Sequence, residues 1–429
     1  MRQEQFHFAA PLQFNRKGQR DMKETKALPT EAQINWHNME LGMFAHFGLN
    51  TFNNKEWSDG TLDKNSFNPE KFDAYQWVKT AKDAGFKYFM LTAKHHDGFC
   101  LWQTKTTDYS VKSISWKNGR GDVVREVSDA CKELGVKFGV YLSPWDRHEK
   151  CYADKEAYDK FYLEQLEELM TGYGDIFEVW FDGAGSEGRT YDWDTIIETV
   201  HKYHPNAMIF NMGTPTIRWV GNEAGIAPQP CFNEAKAARV SMFTNDMLTW
   251  SEKTPLWVPA ECDATIRRGG WFWHENEENT LRSIDELKYI YLNSVGHGAN
   301  LLLNIAPDKN GLLPECDVER IMQFADFVRS IYENKISDTE SETDETVIEF
   351  DGFKAISYIV TSEDIRFGEN IRKYRIDAHM YGGWIKVAEG SSIGHKKIDL
   401  VKGVCAKAIK FTVLEKSDNV KIKSIAVYE

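Results

Sequence analysis

Between about residues 40 and 335 the chain alternates strand-like and helix-like segments, and this alternation constrains the fold more than any other feature. "MFAHFGL" (43–49) reads as a strand, and "DAYQWVKTAKDAGF" (73–86) as a helix with apolar residues at helical spacing and a glycine near its end. "KYFMLTAKH", "KFGVYLSP", "IFEVWFDGA" and "NAMIFNMG" continue the strands. "GDVVREVSDACKELGV", "KEAYDKFYLEQLEELMTGYG" and "DWDTIIETVHKYHP" supply the helices between them. A parallel sheet needs a crossover helix between successive strands, and so many regular β-α units favour an α/β (β/α) TIM-like barrel over a doubly wound sheet.

After Gly213 the pattern degrades. "IRWVGNE", "PLWVPAECDA" and "ANLLLNIAP" look like strands, but residues 223–255 lack a clear amphipathic helix, so the barrel is expected to be irregular there. The helix "CDVERIMQFADFVRSIYEN" closes this part, and the polar, acidic "SDTESETDET" follows it. Alternating segments such as "KAISYIVTS", "KAIKFTVLE" and "VKIKSIAVYE" then read as an all-β sandwich. The expected organisation is a catalytic barrel over 1–335, a linker over 336–346 and a β-sandwich over 347–429. A length of 429 residues suits a barrel of about 250 residues plus a smaller module.

A net charge of −13, with no long stripe of Lys or Arg, argues against a nucleic-acid partner. The seven cysteines are scattered without a CxxC pair, so neither a disulfide framework nor a structural zinc site is expected. The amino terminus lacks the apolar core of a signal peptide, and no run of 18 apolar residues occurs. The chain as given therefore reads as unexported and without a membrane span, and as periplasmic or secreted only if a leader has been removed. Oligomeric state is not legible. No GxSxG, P-loop or dinucleotide signature stands in a supporting context, which leaves serine hydrolysis, phosphoryl transfer and NAD chemistry without sequence support. No cofactor is expected.

In a β/α barrel the reacting groups close the strands at their carboxyl ends. Here those positions hold His46, the pair His95 and His96, Tyr141, Trp180 with Asp182, Glu223, and Glu261 with Asp263. Turn chemistry alone favours Gly, Asn, Ser and Asp, so the His, Trp, Tyr and Glu in this set point to a site. The histidines lack HxH or HExxH spacing, which disfavours metal catalysis. Trp57 and Trp271 fall in loops, where aromatic rings suit the apolar face of a sugar. Two carboxylates among aromatics and histidines are the requirement for glycosidic bond cleavage.

"HFGLNTF", "EWSDG", "KHHDGFCLW", "GVYLSPW", "VWFDGA", "RWVGNE" and "WFWH" occur in an order that resembles glycoside hydrolase family 29, the α-L-fucosidases, over residues 36–334. The tail is similar to the β-sandwich that follows the barrel in that family. The resemblance implies a retaining, two-step mechanism on terminal α-L-fucose, with Asp182 as nucleophile. It implies that His46, Glu56, Trp57, His95, His96, Tyr141, Trp180 and Trp271 bind the sugar. "RWVGNE" resembles the branch that prefers α-1,3/1,4-linked fucose on glycans such as Lewis-type epitopes. In that branch Glu223 would be the acid/base, with Glu261 the second candidate. The partner implied is a fucosylated oligosaccharide or glycoconjugate. An inactive fucose-binding, lectin-like protein and a fucosidase without linkage preference are the alternatives.

Overall fold

The computed structural model describes residues 26–235 and 255–429. The amino-terminal stretch read for a signal peptide, and the 236–254 part of the irregular segment, lie outside them. Strands β1 (Leu41–Ala45), β2 (Tyr88–Lys94), β3 (Lys137–Leu142), β4 (Ile176–Trp180), β5 (Met208–Phe210) and β6 (Arg218–Trp219) follow one another along the chain. A two-stranded ribbon, β7 (Glu234–Ala235) with β8 (Leu256–Trp257), precedes β9 (Ala260–Thr265) and β10 (Asn300–Asn304). The ribbon aside, these strands form one parallel sheet in the order β5-β4-β3-β2-β1-β10-β9-β6. A bridge between Phe210 and Ile217 joins its two edges, so the barrel is nearly closed.

Helices α1 (Glu31–His37), α2 (Leu49–Asn53), α3 (Ala74–Asp83), α4 (Val123–Leu134), α5 (Lys155–Gly172), α6 (Trp193–Tyr203), α7 (Ile284–Asn293) and α8 (Glu315–Tyr332) complete the domain. Each of α3, α4, α5 and α6 starts at an aspartate whose carboxylate accepts a hydrogen bond from the first turn: Asp73 from Gln76, Asp122 from Arg125, Asp154 from Ala157 and Asp192 from Thr195. Aspartate there satisfies an otherwise orphaned N–H and suits the positive end of the helix dipole. No helix separates β5 from β6, whose connection is seven residues long, so the barrel is irregular where the sequence pattern weakens.

Side-chain alternation decides what faces the barrel axis. From β4, Glu178 and Trp180 point inward, whereas Val179 joins the layer between strands and helices. Phe44, Tyr88, Met90, Tyr141, Met208, Phe210 and Leu302 fill the interior beside Trp180, and Trp36 of α1 plugs its amino-terminal end. Gly42 and Gly139 lie on inward-facing rows because a Cβ at either position would strike the Tyr88 ring or the Met90 sulfur. The interior is therefore a packed core, and a cavity opens above it at the carboxyl ends of the strands.

Strands β11 (Lys335–Ser341), β12 (Glu345–Glu363), β13 (Ile371–Met380), β14 (Gly383–Gly390), β15 (Lys397–Lys416) and β16 (Ile422–Tyr428) form an antiparallel sandwich ordered β11-β16-β12-β15-β13-β14. β12 and β15 are long enough to serve both layers, with register shifts where they bend. The expected linker over 336–346 is largely strand. β11 pairs with β16 and starts the sandwich directly after α8, and only a short turn separates it from β12. Its polar composition suits an edge strand with no face fully buried. No described helix is long and apolar enough to cross a membrane.

Candidate active site

A cavity of about 560 Å³ opens at the carboxyl ends of the barrel strands. Asp182 continues the inward-facing row of β4 two residues beyond Trp180 and reaches its floor. Its Oδ2 accepts a hydrogen bond from the Tyr141 hydroxyl at 3.0 Å, and its Oδ1 accepts one from the backbone N–H of Ala184 at 2.9 Å. His96 Nε2 lies 3.6 Å from Oδ2. Donors on both oxygens fix the carboxylate in one orientation.

Three histidines form one wall. Asn304 Oδ1 accepts hydrogen bonds from the backbone N–H of His46 at 3.2 Å and from its Nδ1 at 2.8 Å, which leaves Nε2 as an acceptor. Burial pushes the His46 pKa down to about 3, against the raising effect of the Asn304 bond, so the ring is neutral. Burial likewise lowers His95 and His96. The Ser143 hydroxyl donates to the Trp145 carbonyl at 2.6 Å, and His96 Nδ1 donates to that hydroxyl at 2.7 Å. Neutral His46 and His96 therefore each present a lone pair, a pattern suited to sugar hydroxyls as donors.

Rings line the remainder. Trp180 stacks on Phe210 with centroids 3.9 Å apart, and Trp271 lies 5.0 Å from His46. Trp57 stands at the rim, 48% exposed, with its edge toward His96 and Trp145. Glu223, on the loop after β6, lines the same cavity at its exposed edge. Partial burial and then the Asp182 charge raise its carboxyl above the ordinary range, and a hydrogen bond to Trp271 works against them. The cavity thus joins an anchored carboxylate, a carboxyl that holds its proton to higher pH, neutral acceptors and flat apolar surfaces. The family model for Alpha-L-fucosidase matches residues 9–333.

The chain belongs to the α-L-fucosidase family. It is 38% identical over 413 residues to Alpha-L-fucosidase 1 of Arabidopsis thaliana, a match covering 86% of this chain and 81% of the relative. A glycoside hydrolase 29 family member from an unknown rumen bacterium superposes with a TM-score of 0.87 at 36% identity, covering 94% of this chain and 77% of that one. A Ruminococcus gnavus GH29 fucosidase in complex with fucose gives a TM-score of 0.84 at 31% identity, covering 94% and 95%. The chain is a retaining glycoside hydrolase of family 29.

Within this fucosidase His46, Trp57, His95, His96, Trp180, Asp182, Glu223 and Trp271 all line the cavity, and three other expected residues do not. Tyr141 is buried and meets the site through its bond to Asp182. Glu261 lies fully buried beneath the floor, where its carboxyl accepts hydrogen bonds from Tyr88 at 2.7 Å and Trp180 at 3.0 Å. Its inward-facing position on β9 made it look like a site acid, but it lies too deep in the barrel. Glu56 accepts from the N–H groups of Trp271 and Phe272 at 2.6 and 3.2 Å and pairs with His274 at 3.2 Å, so it anchors the Trp271 loop. Hydrogen bonds to a charged group are worth about 1.5–3 kcal/mol each, so Glu56→Ala is expected to lower kcat/KM about 10- to 100-fold, mainly through KM, in steady-state assays.

Sequence reasoning did not single out Asn304, which also donates to the Trp271 carbonyl at 2.8 Å and so ties that loop to His46. Nor did it single out Asn211, which lines the cavity at positive φ. Both lie at or just beyond strand ends, but asparagine is ordinary there for turn reasons, which hid them. Asp263 Oδ1 accepts from Trp219 Nε1 at 2.7 Å, and burial holds its carboxyl well above the ordinary range. Among the described residues no His, Cys, Asp and Glu cluster is arranged to hold a metal ion.

Proposed function

We propose that this α-L-fucosidase releases terminal α-1,3/1,4-linked L-fucose from branched glycans such as Lewis-type oligosaccharides, with Asp182 as nucleophile and Glu223 as acid/base. The supporting observation is that these two carboxyls share one cavity in different environments, whereas Glu261 is sealed below it. In the first step an Asp182 oxygen bonds to fucose C1 as the C1–O bond to the leaving sugar breaks, and the Glu223 proton goes to the departing oxygen. In the second step Glu223, now a carboxylate, takes a proton from water. The water oxygen then attacks C1 and expels Asp182. His46, His95 and His96 hold the fucose hydroxyls, while Trp180 and Trp271 pack against its apolar edge.

The linkage preference is supported by "RWVGNE", which ends in Glu223, and by exposed Trp57, a flat surface beside the mouth for the leaving-group sugars. Comparing fucose release from a Lewis-type trisaccharide and from a trisaccharide with α-1,2-linked fucose tests it. The branched substrate is expected to lead by at least about tenfold in kcat/KM, a difference of about 1.4 kcal/mol in transition-state binding. Equal rates, or a lead for the α-1,2 linkage, would place the specificity elsewhere.

A further inference from the structure

The chain that follows Glu223 leaves the cavity and runs along the sandwich. Asn233, 1% exposed, donates from its backbone N–H and from Nδ2 to Glu369 of the sandwich at 2.7 and 2.6 Å. The backbone N–H of Cys231 donates to Ser392 Oγ at 3.3 Å. Between them the Phe232 ring lies under the Arg372 guanidinium at 4.3 Å, and Arg372 also donates to the Glu369 carbonyl at 3.1 Å. Three consecutive barrel residues are thus gripped by one sandwich surface. Glu369 and Ser392 are themselves buried, at 4% and 3% exposure.

This grip reaches the strand that presents Glu223. Arg218 opens β6, five residues before Glu223, and its Nη2 donates to the Phe232 carbonyl at 3.2 Å. The loop is closed by bonds from Asn222 Nδ2 to Ile226 O at 2.8 Å and from Ala227 N to Asn293 O at 2.8 Å. Glu223 stands exposed on that loop and bonds to Trp271, while Gly225 and Ala227 just beyond it pack against the barrel. Another barrel–sandwich contact is different in kind. There Lys396 and His395 pair with Glu40, and His395 stacks on His37 at 5.0 Å, at the amino-terminal end of β1 away from the cavity.

We infer that the β-sandwich positions the acid/base: Glu369, Arg372 and Ser392 clasp residues 231–233 and thereby hold the loop that aims Glu223 at the leaving-group oxygen. This inference rests on the assignment of Glu223. The sandwich therefore contributes to protonation of the leaving group without touching substrate, and the Glu40 contact serves as a brace.

The test compares kcat/KM of full-length variants on a Lewis-type trisaccharide and on an aryl fucoside whose leaving group needs no proton. Glu369→Ala is expected to lose about tenfold or more on the trisaccharide and no more than about threefold on the aryl fucoside. Glu369→Gln, which keeps one acceptor for Asn233, should recover most of the loss. An Arg372→Ala/Ser392→Ala double variant should show the same split and serves if Glu369→Ala does not fold. Lys396→Ala should lower Tm without any split. Equal losses on both substrates, or full activity on both in the folded clasp variants, would overturn the inference. Glu223→Ala measured in parallel separates the two readings. If it shows no split, the acid/base assignment fails; if it does while the clasp variants do not, only the clasp fails.

Discussion

Asp182→Asn is expected to lower kcat on every fucoside by about ten-thousand-fold or more while changing fucose affinity less than about tenfold. The asparagine oxygen can still accept from Ala184 N–H, and the Tyr141 hydroxyl can turn to suit the new amide, so the cavity keeps its shape. What is lost is the oxygen that forms the bond to C1. Calorimetric binding of fucose alongside turnover of an activated aryl fucoside measures both parts. Asp182→Ala supplies a stereochemical check, because azide entering the vacated space attacks C1 from the nucleophile's side and leaves β-L-fucosyl azide. Near-normal turnover of either variant, or an α-configured azide product, would remove Asp182 from the role.

The fold was legible where one physical rule dominated the sequence. Helical spacing of apolar residues marked α3 to α6, and near-continuous apolar runs marked β2 to β5, because a strand buried on both faces has no polar side to show. The rule failed at β11, whose polar residues read as a linker. An edge strand takes its stability from pairing with β16, and a single sequence does not display its partner. The strand-end rule singled out Asp182, the histidines and Glu223, which all line the cavity, but it could not measure depth. Glu261 and Asp263 occupy the same inward row of β9, and one ladder step separates a sealed carboxyl from a cavity wall. Glu56 was legible as a site residue by motif only. That it holds the Trp271 loop depends on a contact across more than two hundred residues of chain.

Glu223→Ala is expected to show the second large effect, and its size should depend on the leaving group. A glycan departs as an alkoxide unless it is protonated, so turnover of a Lewis-type trisaccharide should fall by about a thousandfold or more. An aryl fucoside with an acidic phenol leaves unaided, and its first step should change little. Its second step then limits the rate, since no base activates water, and added azide should restore turnover and yield α-L-fucosyl azide through two inversions at C1. The pH profile gives an independent reading. Glu223 must carry its proton in the first step, so glycan hydrolysis is full below its pKa and falls as pH rises through it. Partial burial and the Asp182 charge raise that pKa, which places the falling limb above the ordinary carboxylate range. Glu223→Gln should erase that limb from the residual hydrolysis of the trisaccharide, whereas a limb that persists unchanged would assign the proton to another group.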